Sequence, residues 1–449
     1  MKHENPAWKP VPSGSRGKPV LEVPKRLNEK NDEFEGVSHT WYEYIPESYD
    51  GSVAVPLVVV LHGGGSNGLS GGVQRTAWHQ IADRENFIVV YPDATNKMIL
   101  DDGTKVCEFN AFFMKGPYND DVTYLKLLIE RVSKIYHIDK SRIYMQGQSR
   151  GDQMVTHFAL VHGRMLAAAA GTSGPTRYEI MRDCMDNLKE RVAPLPFYRW
   201  HGEKDDLGGT EAISRMELDD EHKKLWIKFN GCTELPEIII DGRYNTEIYT
   251  GGQAEFRFTE FVGGDHSLDL SGANIIWKEF FSRFRRDEEG NVTEIHSPEI
   301  KKSEGIALVT GCSYALVNGT KVKLHSGHSS FIPDFIKGDI LVPLEFFGEA
   351  FGAVVEHNVS TGEIIINYHG NKATLKVDSP LLMINENVFY QLDTPPKKEN
   401  VGAVIPIKAI AELLCNWHAA CSGKSFYLSK NHRDSIDHYT EHILTNILN

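Results

Sequence analysis

Ser149 stands in Gly147-Gln148-Ser149-Arg150-Gly151, a G-x-S-x-G pentapeptide. An apolar run through Ile143, Tyr144 and Met145 leads into it, and Asp152 to His162 continues with no Pro or Gly until Gly163. That context predicts a strand, a tight turn and a helix, with the serine exposed at the top of a parallel sheet. Gly147 and Gly151 suit such a turn, because strand and helix must pass close together. The bland alternative is an ordinary turn serine, since a chain of 449 residues can hold the pentapeptide by chance.

A serine hydroxyl is a poor nucleophile until a base takes its proton. The base in turn needs a carboxylate to orient it and to stabilise its cation. Two stretches downstream offer these groups. His201-Gly202-Glu203-Lys204-Asp205-Asp206 offers the acid, with Asp205 first, Asp206 next and Glu203 behind. Asp265-His266-Ser267 offers the base, His266, against the alternative that it is one surface histidine among 19. The negative charge that develops on a substrate oxygen also needs backbone N–H donors, and removing one such donor costs about 10²–10³ in rate. The N–H of Arg150 is one candidate, and the His62-Gly63-Gly64-Gly65 loop offers another, with Gly64 preferred. This chemistry calls for no metal and no organic cofactor.

The elements that must position these groups read as alternating strands and helices. Val55 to Leu61 is a continuous apolar run that ends in the glycine loop, and Phe87 to Tyr91 is a second, closed by Pro92. Such runs suit strands buried on both faces. Asp120 or Asp121 can cap a helix to about His137. Leu166 to Ala170, Pro196 to Trp200 and Glu255 to Val262 read as further strands, and Ala273 to Phe284 as a closing helix. The pattern predicts an α/β domain with a mainly parallel sheet covered on both sides. His39 to Ile45 reads as a strand and Pro46 to Ser52 as a hairpin connection; residues 1–36 read as an extended or partly disordered arm.

Arg285 to Lys302 is charged, contains Gly290 and Pro298, and marks a linker over residues 287–303. Beyond it, short strands and turn signals predict a smaller α+β domain over residues 304–430, with 431–449 as a C-terminal tail. This part holds a degenerate repeat. Leu341-Val342-Pro343-Leu344 precedes one short amphipathic helix, and Val404-Ile405-Pro406-Ile407 precedes another.

A net charge of −13 argues against general binding to nucleic acid or anionic membrane. No apolar run reaches membrane-spanning length. Met1 to Pro24 is polar and lacks the apolar centre of a signal peptide, so the expectation is a chain that stays inside the cell or one whose leader has been removed. The six cysteines form no C-x-x-C pair, and scattered buried thiols are expected over disulfides.

Residues 37–286 resemble the polyhydroxybutyrate-depolymerase and feruloyl-esterase-like branch of the α/β-hydrolases. The matching pieces are Leu61-His62-Gly63-Gly64, Tyr91-Pro92-Asp93, Asp120-Asp121-Val122, Ser141-Arg142-Ile143-Tyr144 and the serine pentapeptide. His201-Gly202-x-x-Asp205, Asn230-Gly231-Cys232 and Gly264-Asp265-His266 complete the set. The resemblance implies a doubly wound sheet, Ser149 as nucleophile, Asp205 as acid and His266 as base. Two features depart from it: Arg150 stands where a small or amide residue is more usual, and Cys107-Glu108-Phe109-Asn110 replaces a Trp-rich stretch.

Residues from about 304 to 430 resemble the copper amine oxidase N-terminal-like domain, through the Pro-helix unit followed by Phe351-Gly352-Ala353-Val354-Val355-Glu356. Despite the name, this implies no copper site, because His357, His369 and His418 are isolated histidines without ligand spacing. The resemblance implies attachment to a cell surface or polysaccharide. The expected activity is hydrolysis of small or polymeric feruloyl, acetyl or hydroxyalkanoate esters through an acyl-enzyme. A prolyl-oligopeptidase-like peptidase and a non-catalytic surface-binding module are the competing readings.

Overall fold

The computed structural model describes residues 20–99, 103, 105–112, 120–187, 193–205, 207, 213–233, 236–240, 243–266, 270–297, 304–327, 330–430 and 436–449. The chain divides into two compact units. One comprises Met1–Pro236 and Glu247–Ile300; the other comprises Glu237–Thr246 and Lys301–Asn449.

The first unit is built on a mixed sheet. Its strands are β1 (Leu27–Phe34), β2 (Val37–Tyr44), β3 (Val55–Leu61), β4 (Ile88–Pro92), β7 (Ile138–Gln148), β8 (Ala168–Thr172), β9 (Phe197–Gly202) and β12 (Phe256–Phe261). A small side hairpin supplies β5 (Asn96–Ile99) and β6 (Lys105–Glu108), whereas β10 (Glu237–Ile239) and the start of β11 (Tyr244–Tyr249) belong to the second unit. Among the described residues of this unit the strand order is β1-β2-β4-β3-β7-β8-β9-β12. Pairing is antiparallel from β1 to β4 and parallel from β4 through β3, β7, β8 and β9 to β12.

Helices α1 (Trp78–Glu85), α2 (Asp121–Ile135), α3 (Arg150–His162), α4 (Tyr178–Asp186), α5 (Arg215–Asn230) and α6 (Leu270–Glu279) lie between or after the strands. This is the α/β-hydrolase fold. β3, with sequence VPLVVVL, is buried along its whole length, as a strand covered on both faces must be. The parallel strands all point one way, so the loops after β3, β7, β8, β9 and β12 gather at one edge. The sheet order runs outward in both directions from β3 and β7, and a crevice forms at such a switch point.

Three stretches differ from the sequence reading. The end of the expected arm is β1, whose half-buried side meets β2 in register from Leu27 opposite Tyr44 to Phe34 opposite Val37. Its charged outward residues hide a strand held by one face, where Phe34 meets the rings of His39, Trp41 and Tyr124. Residues 1–19 of the arm lie outside the described residues. Pro46 to Ser52 is no hairpin turn, because β2 pairs with β4 and the chain crosses to β3. The last helix stops at Glu279, and Phe284–Arg286 forms a two-stranded hairpin with Val292–Glu294. Arg283 secures this region by bonds to Glu255 at 2.9 Å and Glu294 at 2.8 Å. Residues 298–303 of the expected linker lie outside the described residues.

In the second unit the two Pro-helix repeats face each other. Asp339–Pro343 pairs antiparallel with Gly402–Pro406, matching Leu341 with Pro406 and Pro343 with Val404. Each strand runs directly into its helix, α7 (Leu344–Phe351) or α8 (Ile407–Leu413), with proline at the N-cap. A residue that lacks an N–H is tolerated there, since the first donors of a helix have no partner within it. Asp339 fills that need for α8, accepting from Lys408 N and Ala409 N at 2.9 Å each. Ile306, Leu308, Phe347, Ile364, Ile366, Ile405, Phe426 and Leu428 form the core of this unit. The C-terminal stretch contains α9 (His438–Leu448), whose Ile443, Leu444 and Leu448 are buried. All six cysteines are free thiols.

Candidate active site

The turn after β7 holds Ser149 at φ 53° and ψ −117°, a conformation that costs a non-glycine residue energy. The surroundings impose it. A Cβ on Gly147 would lie 2.3 Å from the carbonyl oxygen of Gly151, and one on Gly151 would lie 2.5 Å from that of His62. Both positions therefore require glycine. Ser149 N donates to Thr172 O of β8 at 2.7 Å, and Ser149 O accepts from Gln153 N at 3.1 Å. The serine is thus fixed by its backbone, with its hydroxyl left at the edge of the sheet.

His266 Nε2 lies 2.8 Å from Ser149 Oγ, and His266 Nδ1 lies 2.9 Å from Asp205 Oδ1. An ionised carboxylate can only accept, so the Nδ1 proton belongs to the histidine and Nε2 is free to accept from the serine. Burial pushes the Asp205 carboxyl up, but the bond from His266 and the Arg215 charge outweigh it and hold it below its ordinary value. Asp205 follows β9 and His266 follows β12, which are parallel neighbours. Their loops are tied by Lys204 N to Gly264 O at 2.7 Å. Gln148 Nε2 donates to His266 O at 2.8 Å, joining the histidine loop to the serine turn. Glu203, the weaker acid candidate, accepts from Gly263 N at 2.6 Å instead. Asp206 lies outside the described residues.

The glycine loop lies beside Ser149. A Cβ on Gly63 would stand 3.5 Å from Ser149 Cβ, and one on Gly64 would stand 3.6 Å from Arg150 Cβ. His62 pins this loop from below. Its Nδ1 donates to Gly63 O at 2.7 Å, and its Nε2 accepts from Ala94 N at 3.1 Å. Burial drives its pKa down to about 4, so it stays neutral and keeps both bonds. Gly63, Gly64, Gly65, Ser66, Ser149 and His266 help line a cavity of about 160 Å³. A larger cavity of about 710 Å³, lined in part by Arg164, Tyr178 and Asn230, contains none of these groups.

The two departures noted in the sequence meet here. Arg150 Nε donates to Glu108 Oε1 at 2.8 Å, and Arg150 Nη1 donates to Gln153 Oε1 at 2.7 Å. The unusual arginine therefore brings its own counter-charge from the segment that replaces the Trp-rich stretch. Sequence reasoning missed this pairing because 42 residues separate the partners. It also missed a buried ionic network behind Asp205, made by Arg215 and Asp219 of α5 with Arg199, His201 and Asp152. The only local signal was an Arg and an Asp four residues apart, a spacing shared by many surface pairs. Among the described residues, no group of three or more His, Cys, Asp or Glu could hold a metal ion. No helix among them is long and apolar enough to cross a membrane.

Residues 316–416 match the family described as the Copper amine oxidase N-terminal domain. The chain is 27% identical over 242 residues to the bifunctional acetylxylan esterase/xylanase XynS20E of Neocallimastix patriciarum, a match covering 52% of this chain and 31% of that protein. It is 26% identical over 241 residues to feruloyl esterase B of Piromyces equi, covering 49% of this chain and 41% of that protein. The chain thus spans less than half the length of these curated relatives. Among solved structures, an acetyl xylan esterase from Aspergillus awamori aligns with 57% of this chain and 98% of its own, at a TM-score of 0.43 and 16% identity.

Proposed function

We propose that this chain is a serine hydrolase of carboxylic esters, acting through Ser149, His266 and Asp205. The observation that carries the reading is the continuous line from Asp205 through His266 to Ser149, with the serine held in a strained turn at the edge of a cleft. The similarity to an acetylxylan esterase/xylanase and a feruloyl esterase supports the ester class.

In this reading Ser149 Oγ attacks the ester carbonyl while His266 Nε2 takes its proton. Asp205 stabilises the imidazolium that forms. The backbone N–H groups of Arg150 and Gly64 hold the oxyanion. Collapse of the tetrahedral species passes the proton from His266 to the departing alcohol and leaves the acyl group on Ser149. Water then attacks, His266 takes its proton, and the acid departs as Ser149 Oγ regains a hydrogen. Acetyl and feruloyl esters are the proposed substrate classes, and the second unit is proposed as an attachment module for polymeric substrates.

A fluorophosphonate label followed by peptide mapping tests the nucleophile. A panel of aryl, acetyl-sugar, feruloyl and hydroxybutyrate esters, with peptide substrates alongside, tests the class. The reading predicts labelling at Ser149 and turnover of at least one ester. Turnover of peptides without esters would overturn it.

A further inference from the structure

Asp205 has a second charged partner. Its Oδ2 lies 3.3 Å from Arg215 Nη2, and both side chains are more than nine-tenths buried. The contact is an ion pair and not a hydrogen bond. Arg215 is itself held in place. Its Nε donates to Asp219 Oδ2 at 3.1 Å, one turn further along α5, and its Nη1 donates to Leu207 O. Asp219 also accepts from Arg199 at 3.1 Å and lies 3.0 Å from His201 Nδ1. Arg199 completes the chain with Asp152, which accepts from Gly174 N at 2.7 Å beneath the Ser149 turn.

We infer that Arg215 and Asp219 form a positioning clamp on Asp205, fixing which carboxylate oxygen faces His266 and setting, by their opposed charges, the ionisation of His266. The inference rests on the proposed role of His266 as base. The clamp reaches His266 only through Asp205. Among the described residues, the charged or titratable groups nearby include Arg75, which lines the same cavity as His266, His201 of β9, Glu203 and Asp265 in the adjoining loops, and the Arg199–Asp152 pair behind Asp219. A guanidinium fork suits this position better than an ammonium, since it contacts two carboxylates and a carbonyl at once.

The signs follow from charge. Loss of the Arg215 cation leaves the surroundings of His266 more negative, which favours imidazolium and raises the pH at which it loses its proton. Loss of the Asp219 anion leaves the Arg215 charge less compensated and lowers that pH. A role confined to packing gives no reason for opposite shifts.

The test is ¹⁵N-histidine NMR titration of the full chain, with the His266 resonance assigned by its loss in His266→Gln. The rate of ester hydrolysis is followed in parallel. Arg215→Gln is expected to move the ionisation of His266 upward, the direction that removal of a cation dictates. Asp219→Asn should move it downward, and Arg215→Lys, which keeps the charge, should return it near the wild-type position while kcat stays lower. Should one variant fail to fold, the direction in the other decides. Unchanged ionisation, or shifts of the same sign in both, would overturn the clamp. The titration does not depend on turnover, so an inactive wild type would reject the ester-hydrolase reading while the NMR result still judged the clamp.

Discussion

Arg150 and Glu108 show how a single residue can be read only with its partner. Alone, an arginine directly after Ser149 would place a cation at the cleft mouth. Paired at 2.8 Å with a carboxylate that is almost wholly buried, it adds no net charge there. Removing Glu108 alone leaves the guanidinium unpaired, whereas removing both members relieves that cost. Glu108→Ala should therefore destabilise the chain more than Glu108→Ala/Arg150→Ala does. A double-mutant cycle by urea unfolding should return a coupling of about 0.5–1 kcal/mol, the low end for contacting residues because Arg150 is partly exposed. Zero coupling would mean that the pair is incidental. The pentapeptide and the two strand-end motifs were legible in sequence because each is local: a few residues of fixed type at a fixed spacing. The Arg150–Glu108 bond was not, because nothing in either segment names the other.

At the scale of elements, α5 does more than cover the sheet. Its start is fixed by a capping box between Ser214 and Glu217, and its first turns deliver Arg215 and Asp219 to the back of Asp205. Asp219 is held well below the ordinary carboxylate range, because the Arg215, His201 and Arg199 partners outweigh its burial. A carboxyl depressed in the folded state contributes stability that is present above its unfolded pKa of about 4 and lost as pH falls through the folded value. Asp219→Asn should thus destabilise the protein by about 3–5 kcal/mol at pH 7, the cost of breaking a buried pair from one side. The deficit should shrink below pH 4, as the unfolded wild type takes up a proton that its folded state does not. Urea midpoints at pH 7 and pH 3 check this, and an equal deficit at both would contradict it. The strands of the parallel sheet were legible as apolar runs. β1 was not, because a strand half-buried on one face, with Glu29, Lys30, Asp32 and Glu33 among its residues, resembles a polar arm.

For the whole molecule, every group of the candidate site lies between His62 and His266, within the first unit. A chain truncated after residue 297 should therefore keep its turnover of a small soluble ester, counted per fluorophosphonate-labelled site. It should melt at a lower temperature, because Glu237–Thr246 belongs with the second unit and would lose the rest of it. Calorimetry and active-site titration separate the two effects. Loss of turnover by a fully labelled truncated chain would mean that the second unit contributes to the chemistry. The repeat in that unit was legible from its two Val/Ile-Pro steps. That the two copies pair strand to strand was not, because register between distant segments is set by the folded core.

The most direct measurement is turnover of an activated acetyl ester by purified wild type and Ser149→Ala, each shown to be folded by circular dichroism. Removing the nucleophile of such a triad costs about 10⁶ in kcat. A fall of that order, together with loss of fluorophosphonate labelling, is the predicted result. A Ser149→Ala protein that hydrolyses the ester at the wild-type rate would contradict the central claim, and the chemistry would have to be sought elsewhere in the chain.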